Sequence, residues 1–157
     1  MYRIKRITRP ALPIKAYEDD KAFKLFMFDV GLLSAQSGLE AATVVGDDKI
    51  FTEFKGALAE QFVVQQLKTL PKVDIAYWIS KSGQAEIDFM IQTKGQVIPV
   101  EVKAATNLQA KSLKYFREKF NPSTSLRISL ANFEKQTDLI NLPLYMIEQI
   151  PTILEQS

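Results

Sequence analysis

Residues 83–103 decide the fold of this chain, and they read Gly-Gln-Ala-Glu-Ile-Asp-Phe-Met-Ile-Gln-Thr-Lys-Gly-Gln-Val-Ile-Pro-Val-Glu-Val-Lys. Two runs of β-forming residues flank a polar turn at residues 92–96, a pattern that predicts a hairpin. Alternation along the strands places Asp88 with Met90, and Glu101 with Lys103. The opposite faces carry bulky apolar residues that should cover a core: Ile87, Phe89, Ile91, Ile98, Val100 and Val102. Charges set into such a sheet cost stability unless they are paired or bind a metal.

The composition narrows the chemistry that this chain can perform. Its 157 residues, 46% of them hydrophobic, suit one domain with a single core. There is no cysteine and no histidine, which excludes thiol nucleophiles, cysteine-ligated zinc and histidine-based acid–base catalysis. A metal would need oxygen ligands, which favours magnesium, manganese or calcium. The formal net charge of +2 neither requires nor excludes a nucleic-acid partner.

No apolar run approaches transmembrane length, and the first residues lack the apolar core of a signal peptide. We therefore expect a cytoplasmic protein with no membrane partner. Residues 1–50 are predicted to form an arm and an apolar helix or strand that pack on a core at 51–157, making one compact domain. Within this part, residues 2–17 predict a basic edge strand or extended arm, and Glu18 could begin a helix. The apolar run 23–33 suits a core or a homodimer contact, and the segment up to Asp48 a loop.

The remaining pattern predicts an α/β protein. Residues 51–70 form the clearest helix, with Thr52 as its cap and Glu60 beside the apolar Val63, Val64 and Leu67, whereas Gln61 lies on the polar face. The pattern also predicts strands at 75–80, 125–130 and 141–147, a helix at 109–120 and a helical turn at 148–155. A helical crossover from the hairpin to the next strand predicts parallel pairing there, and so a mixed sheet flanked by helices. Pro99 requires an unpaired edge or a bulge.

Three carboxylates, Glu60, Asp88 and Glu101, would converge if the hairpin lies against the first long helix. Clustered acids repel one another unless a divalent cation neutralises them, and oxygen ligands suit Mg²⁺ or Mn²⁺. Lys103 would orient or deprotonate the attacking water and stabilise charge on a phosphoryl group. These parts can cut a phosphodiester bond without histidine. The alternative that needs no metal is a buried salt-bridge network in which Lys103 neutralises Glu101 or Asp88.

Asp88, followed by Glu101-Val102-Lys103, resembles the D…(D/E)xK motif of the PD-(D/E)xK nuclease superfamily, and Glu60 resembles the acidic residue on its first core helix. Several sequence segments between Leu12 and Tyr145 resemble family 4143 of the domains of unknown function. Among them are Phe-Asp-Val-Gly-Leu-Leu at 28–33 and Ile-Pro-Val-Glu-Val-Lys at 98–103. That family follows P-loop AAA-type ATPase modules in bacteria and archaea.

The resemblance implies a restriction-endonuclease-like αβββαβ core and a Mg²⁺- or Mn²⁺-dependent endonuclease acting on nucleic acid, DNA in the first instance. It implies Glu60, Asp88 and Glu101 as metal ligands and Lys103 as the fourth catalytic residue. The chain has no phosphate-loop motif and so no such ATP site, and we expect it to be the C-terminal part of a longer ATPase chain. The second hypothesis is a catalytically silent domain that docks nucleic acid or a protein.

Nucleic-acid contacts would come first from a turn and from the helix after the hairpin. We expect them at Lys81, Ser82, Gln84, Lys111 and Lys114. Their expected role is phosphate contact, with strong salt dependence and little base specificity.

Overall fold

The structure is a computed structural model that describes residues 1–38, 49–104 and 110–155. Eight strands in these residues form one mixed sheet: β1 Tyr2–Ile7, β2 Glu18–Phe26, β3 Asp74–Ile79, β4 Glu86–Thr93, β5 Gln96–Lys103, β6 Ser125–Ser129, β7 Glu134–Lys135 and β8 Leu139–Pro143. Their order across the sheet is β2-β1-β3-β4-β5-β6-β8-β7. The described residues also form four α-helices: α1 Val30–Gln36, α2 Lys49–Leu67, α3 Lys111–Phe120 and α4 Ile150–Glu155. Short 3-10 helices lie at Ile14–Tyr17 and Leu144–Gln149.

The predicted hairpin is confirmed as the antiparallel pair β4–β5. Its turn is tighter than predicted, because Thr93 pairs with Gln96 and only two residues, Lys94 and Gly95, connect the strands. Both have positive φ, 49° and 74°, as the type I′ turn of a two-residue hairpin loop requires at both of its central positions. Pro99 pairs with β4, and the ladder between β5 and β6 begins one residue later, so the missing N–H of proline interrupts no ladder there.

The predicted α/β class and mixed sheet are confirmed. The chain leaves β5, forms α3 and returns as β6, which pairs parallel with β5 as the crossover predicts. Strand β8 then pairs parallel with β6. One core lies under α2 and includes Val64, Phe89 and Val100, all with no exposed side-chain surface. The second core lies under α3, so the sheet is covered by helices on both faces.

A β-bulge in β4 corrects the predicted alternation. Ala76 of β3 pairs with Met90, and two residues later Trp78 pairs with Ile87. Asp88 and Phe89 therefore both lie opposite the single residue Tyr77. Because the extra residue shifts the alternation, Ile87 packs with Met90 in the core under α3, whereas Phe89 packs under α2. A bulge redirects side chains and is frequent next to functional sites.

The N-terminal region differs from its prediction. β1 is an internal strand, paired antiparallel with β2 and parallel with β3, and β2 takes the edge. Glu18 begins this edge strand and does not begin a helix. The apolar run 23–33, predicted as a helix or a strand, contains both: its first part ends β2 at Phe26, and its last part begins α1 at Val30. The side chain of Asp29 caps this helix by accepting a hydrogen bond from the N–H of Leu32. Part of this run is exposed, and its role in a homodimer stays a prediction.

Helix α2 ends at Leu67, three residues before the predicted end. Gln61 was predicted on the polar face but is only 1% exposed. Its side-chain amide accepts a hydrogen bond from the N–H of Met27 and donates one to the carbonyl of the same residue, at 2.8 and 2.9 Å. Gln65 likewise accepts from the N–H of Val30. This face of α2 therefore binds the segment between β2 and α1.

Three predicted features, the loop up to Asp48, the Thr52 cap and the start of the second helix at Gln109, lie outside the described residues or side chains. The predicted final strand ends at Pro143, and a 3-10 turn follows where its last residues were expected. No helix in the described part of the chain is long and apolar enough to cross a membrane.

Candidate functional site

The candidate site lies where β4 and β5 separate. Their ladder ends at the pair Phe89 and Val100. Beyond this point β4 continues beside β3, while β5 continues beside β6. A fork opens between the two strands, and the bulge places Asp88 beside it. Backbone N–H and C=O groups at such a fork have no ladder partner, so a side chain or a water molecule must pair with them.

Asp88 fills this role in the fork. One of its carboxylate oxygens accepts a hydrogen bond of 2.7 Å from the N–H of Val102 on β5. Burial, and then the negative charges of Glu101 and Glu60, raise the pKa of Asp88 from its ordinary value of 3.8 to about 7, although the Val102 N–H and Lys24 act in the opposite direction. Since a buried carboxyl near other acids favours its neutral form, a nearby cation would stabilise its charged form.

Glu101 and Lys103 form the second part of the site. Glu101 is 5% exposed, and its Oε1 lies 2.7 Å from the ammonium nitrogen of Lys103. The other oxygen, Oε2, is buried and has no hydrogen-bond partner among the described residues. Burial raises the pKa of Glu101, and the contact with Lys103 opposes that rise. The predicted pairing of Lys103 with Glu101 is therefore present, but it satisfies only half of the carboxylate.

Glu60 reaches the site from α2, and sequence reasoning missed the residue that holds it. Lys24 of β2 places its ammonium nitrogen 3.6 Å from Glu60 and forms a second ion pair with Glu86 at the start of β4. The same nitrogen lies 5.2 Å from the centre of the Tyr77 ring. Lys24 belongs to a strand whose first four residues, 18–21, are all charged, and no short motif distinguishes it from the other lysines of the N-terminal region.

The donor chemistry fits a magnesium-type ion at Asp88 and Glu101. Mg²⁺ is usually held by one or two carboxylates together with waters and substrate phosphates. Both carboxyls are drawn toward their neutral forms, and one buried Glu101 oxygen lacks a partner. Within the described residues, however, no group of three or more acids is gathered closely enough to hold one ion. Glu60 accordingly lies near this pair without joining it in a three-acid ligand group.

The predicted nucleic-acid contacts fall into two places. Ser82, Gln84 and Lys111 line one notch of about 270 Å³ between the turn after β3 and the start of α3; Lys81 lies in the same turn. Lys114 instead lines a cavity of about 340 Å³ whose other basic side chains are Lys111, Arg117 and Arg127. The structure thus brings Lys111 to both places and adds two arginines that the sequence gave no reason to select.

The predicted site residues fall within a recognised family region. The family model described as Domain of unknown function (DUF4143) matches residues 55–145, more than half of the chain. Glu60, Asp88, Glu101 and Lys103 all lie inside this range, whereas Lys24 precedes it. No curated protein matches the chain.

Proposed function

This chain belongs to the domain-of-unknown-function family DUF4143, and from that premise we propose that it is a metal-dependent phosphodiesterase that hydrolyses nucleic acid. The observation that carries the proposal is the half-satisfied Glu101 beside Asp88 at the fork of β4 and β5. A buried carboxylate oxygen without a partner is costly, and a divalent cation shared with Asp88 would remove that cost.

The order of elements supports the same proposal. From α2 onward the chain forms α2, β3, β4, β5, α3 and β6, the order expected of the αβββαβ core of the PD-(D/E)xK superfamily. The acidic residue and the ExK sequence stand on the two strands of the fork. We therefore propose a restriction-endonuclease-like core for this domain. The association with a P-loop ATPase module in a longer chain stays a prediction.

A mechanism follows from the positions of these side chains. The bound ion would activate a water molecule and neutralise charge on the scissile phosphate. Asp88, which the Val102 N–H orients, and Glu101, whose Oε2 has no partner and whose Oε1 pairs with Lys103, would hold the ion. Lys103 is 29% exposed in its side chain, so its ammonium can reach an incoming phosphate. Its positive charge would then stabilise the negative charge that builds up during hydrolysis.

A second candidate function is a catalytically silent domain that docks nucleic acid. The observation in its favour is that lysines already pair with two of the candidate acids, Lys103 with Glu101 and Lys24 with Glu60. This arrangement is also the ion-pair network expected if no metal binds. Such pairs are seldom strongly stabilising, and they leave the buried Oε2 of Glu101 without a partner.

Thermal unfolding in the presence of Mn²⁺ tests metal binding. An ion that binds only the folded protein adds about 2.7 kcal/mol of stability at about 100 times its dissociation constant. We expect the melting temperature to rise in the wild-type protein and not in Glu101→Gln. The matched control is Glu118→Gln, an exposed acid on α3, which should keep the full rise. A wild-type melting temperature that millimolar Mn²⁺ and Mg²⁺ leave unchanged would refute the proposal.

Cleavage of plasmid, branched DNA and RNA substrates tests the activity. We expect hydrolysis that requires the metal and is lost in Lys103→Ala. Binding of Mn²⁺ without hydrolysis of any of these substrates would favour the docking function. Lys119→Ala, which removes a lysine from the exposed part of α3, serves as the control and should cleave like the wild-type protein.

A further inference from the structure

The antiparallel pair β1–β2, the N-terminal hairpin, places a positive charge between acids of α2 and β4. Lys24 on β2 contacts two carboxylates that belong to different elements, Glu60 of α2 and Glu86 of β4. Its side chain is only 24% exposed. A single ammonium group thus joins three elements of the fold beside the candidate metal ligands, at a place where the local excess of acids favours a cation.

We propose that Lys24 takes the place of a second metal ion, so that the site binds one divalent ion at Asp88 and Glu101 rather than two. This inference rests on the proposed function, because it concerns the same metal site. In it Lys24 is a positioning residue that acts through Glu60 and Glu86. Glu60 is then not a metal ligand while Lys24 is present, although the family resemblance implies that it would be.

Three observations support this role. The ammonium group of Lys24 pairs with the carboxylates of both Glu60 and Glu86, so one positive charge is shared by two acids. The Tyr77 ring lies 5.2 Å from the same nitrogen and favours a cation there. The unpartnered, buried Oε2 of Glu101 marks a separate place that the ammonium groups of Lys24 and Lys103 leave without a hydrogen bond. Lys24 therefore supplies a cation between Glu60 and Glu86, whereas Oε2 of Glu101 still lacks a partner.

The experiment counts the Mn²⁺ ions bound per chain by calorimetry, supported by electron paramagnetic resonance of free Mn²⁺. We expect one ion for the wild-type protein and two for Lys24→Met, which keeps most of the apolar stem and removes the charge. Lys24→Arg, which keeps the charge, should bind one. The matched control is Lys5→Met, because Lys5 also bridges two carboxylates of the N-terminal region, Glu18 and Asp20, and it should bind one ion.

A second variant keeps the inference testable if Lys24→Met does not fold. Glu60→Gln should still bind one Mn²⁺ with an affinity within about threefold of wild type, whereas Glu101→Gln should lose the ion. One ion in both wild type and Lys24→Met, two ions in wild type, or loss of the ion in Glu60→Gln would each overturn this inference and leave the proposed function standing. No bound ion in the wild-type protein would overturn both.

Discussion

Replacing Asp88 with asparagine is expected to stabilise the protein at pH 8, although the change removes a residue of the candidate site. The amide oxygen of asparagine can still accept the hydrogen bond that Asp88 takes from the Val102 N–H. What disappears is the negative charge, which is buried near Glu101 and Glu60. Sites that are built for a ligand commonly give up stability in this way when the ligand is absent.

The magnitude follows from the pKa of Asp88. A rise from 3.8 to about 7 means that the folded protein holds the proton more tightly than the unfolded chain. The free energy of unfolding therefore falls as the pH rises from about 4 to about 7, and Asp88 adds no further change above that range. The total loss at pH 8 is about 4 kcal/mol, at about 1.36 kcal/mol for each unit of pKa.

Urea denaturation at pH 4 and pH 8, in the presence of a metal chelator, measures this effect. Asp88→Asn should exceed the wild-type free energy of unfolding by up to about 4 kcal/mol at pH 8 and by less than about 1 kcal/mol at pH 4. Glu118→Gln is the control and should match the wild-type protein at both values. The reasoning would be wrong if Asp88→Asn were less stable than wild type at pH 8, or if both proteins lost stability equally with rising pH.

Two further predictions concern α2 and α3. Gln61→Leu should destabilise the protein by roughly 3 kcal/mol in urea denaturation, because the N–H and carbonyl of Met27 would lose their buried partners; a loss below about 1 kcal/mol would show that water replaces the amide. If nucleic acid lies along α3, Lys111→Gln combined with Lys114→Gln should lower the slope of log affinity against log salt by about 2 in anisotropy titrations of labelled DNA without metal. Lys119→Gln, on the same helix but outside the cavity, should leave that slope unchanged, and equal slopes for all three proteins would contradict the contact.

The hairpin and the crossover could be predicted because both depend on local pattern. Alternating β-forming residues, a short polar turn and a following helix define β4, β5, α3 and β6 with boundaries accurate to a few residues. The same pattern selects Asp88, Glu101 and Lys103, since charged side chains are unusual within buried strands. The pairing of Lys103 with Glu101, expected from their positions on one face of a strand, is present in the structure.

The remaining parts of the site depend on contacts between distant residues. The bulge at Asp88 and Phe89 comes from how β4 pairs with β3, and no residue in the hairpin requires it. Lys24 differs from the other lysines of the N-terminal region only in the folded protein, where it lies beside Glu60 and Glu86. Gln61 resembles a solvent-facing residue until the segment after β2 supplies a backbone that its amide can bind. In each case a tertiary contact decided the outcome.

The position of β1 has a consequence for the order of folding. β4 and β5 are joined by two residues, so their ladder can form early and at little entropic cost, whereas β1 must find β3 across about seventy residues of chain. We therefore expect the N-terminal hairpin to dock late. Until it does, the carboxylates of α2 and β4 have no ammonium group from β2 between them, and their mutual repulsion opposes compaction. Docking of the N-terminal hairpin would thus also neutralise the charges that oppose compaction before it.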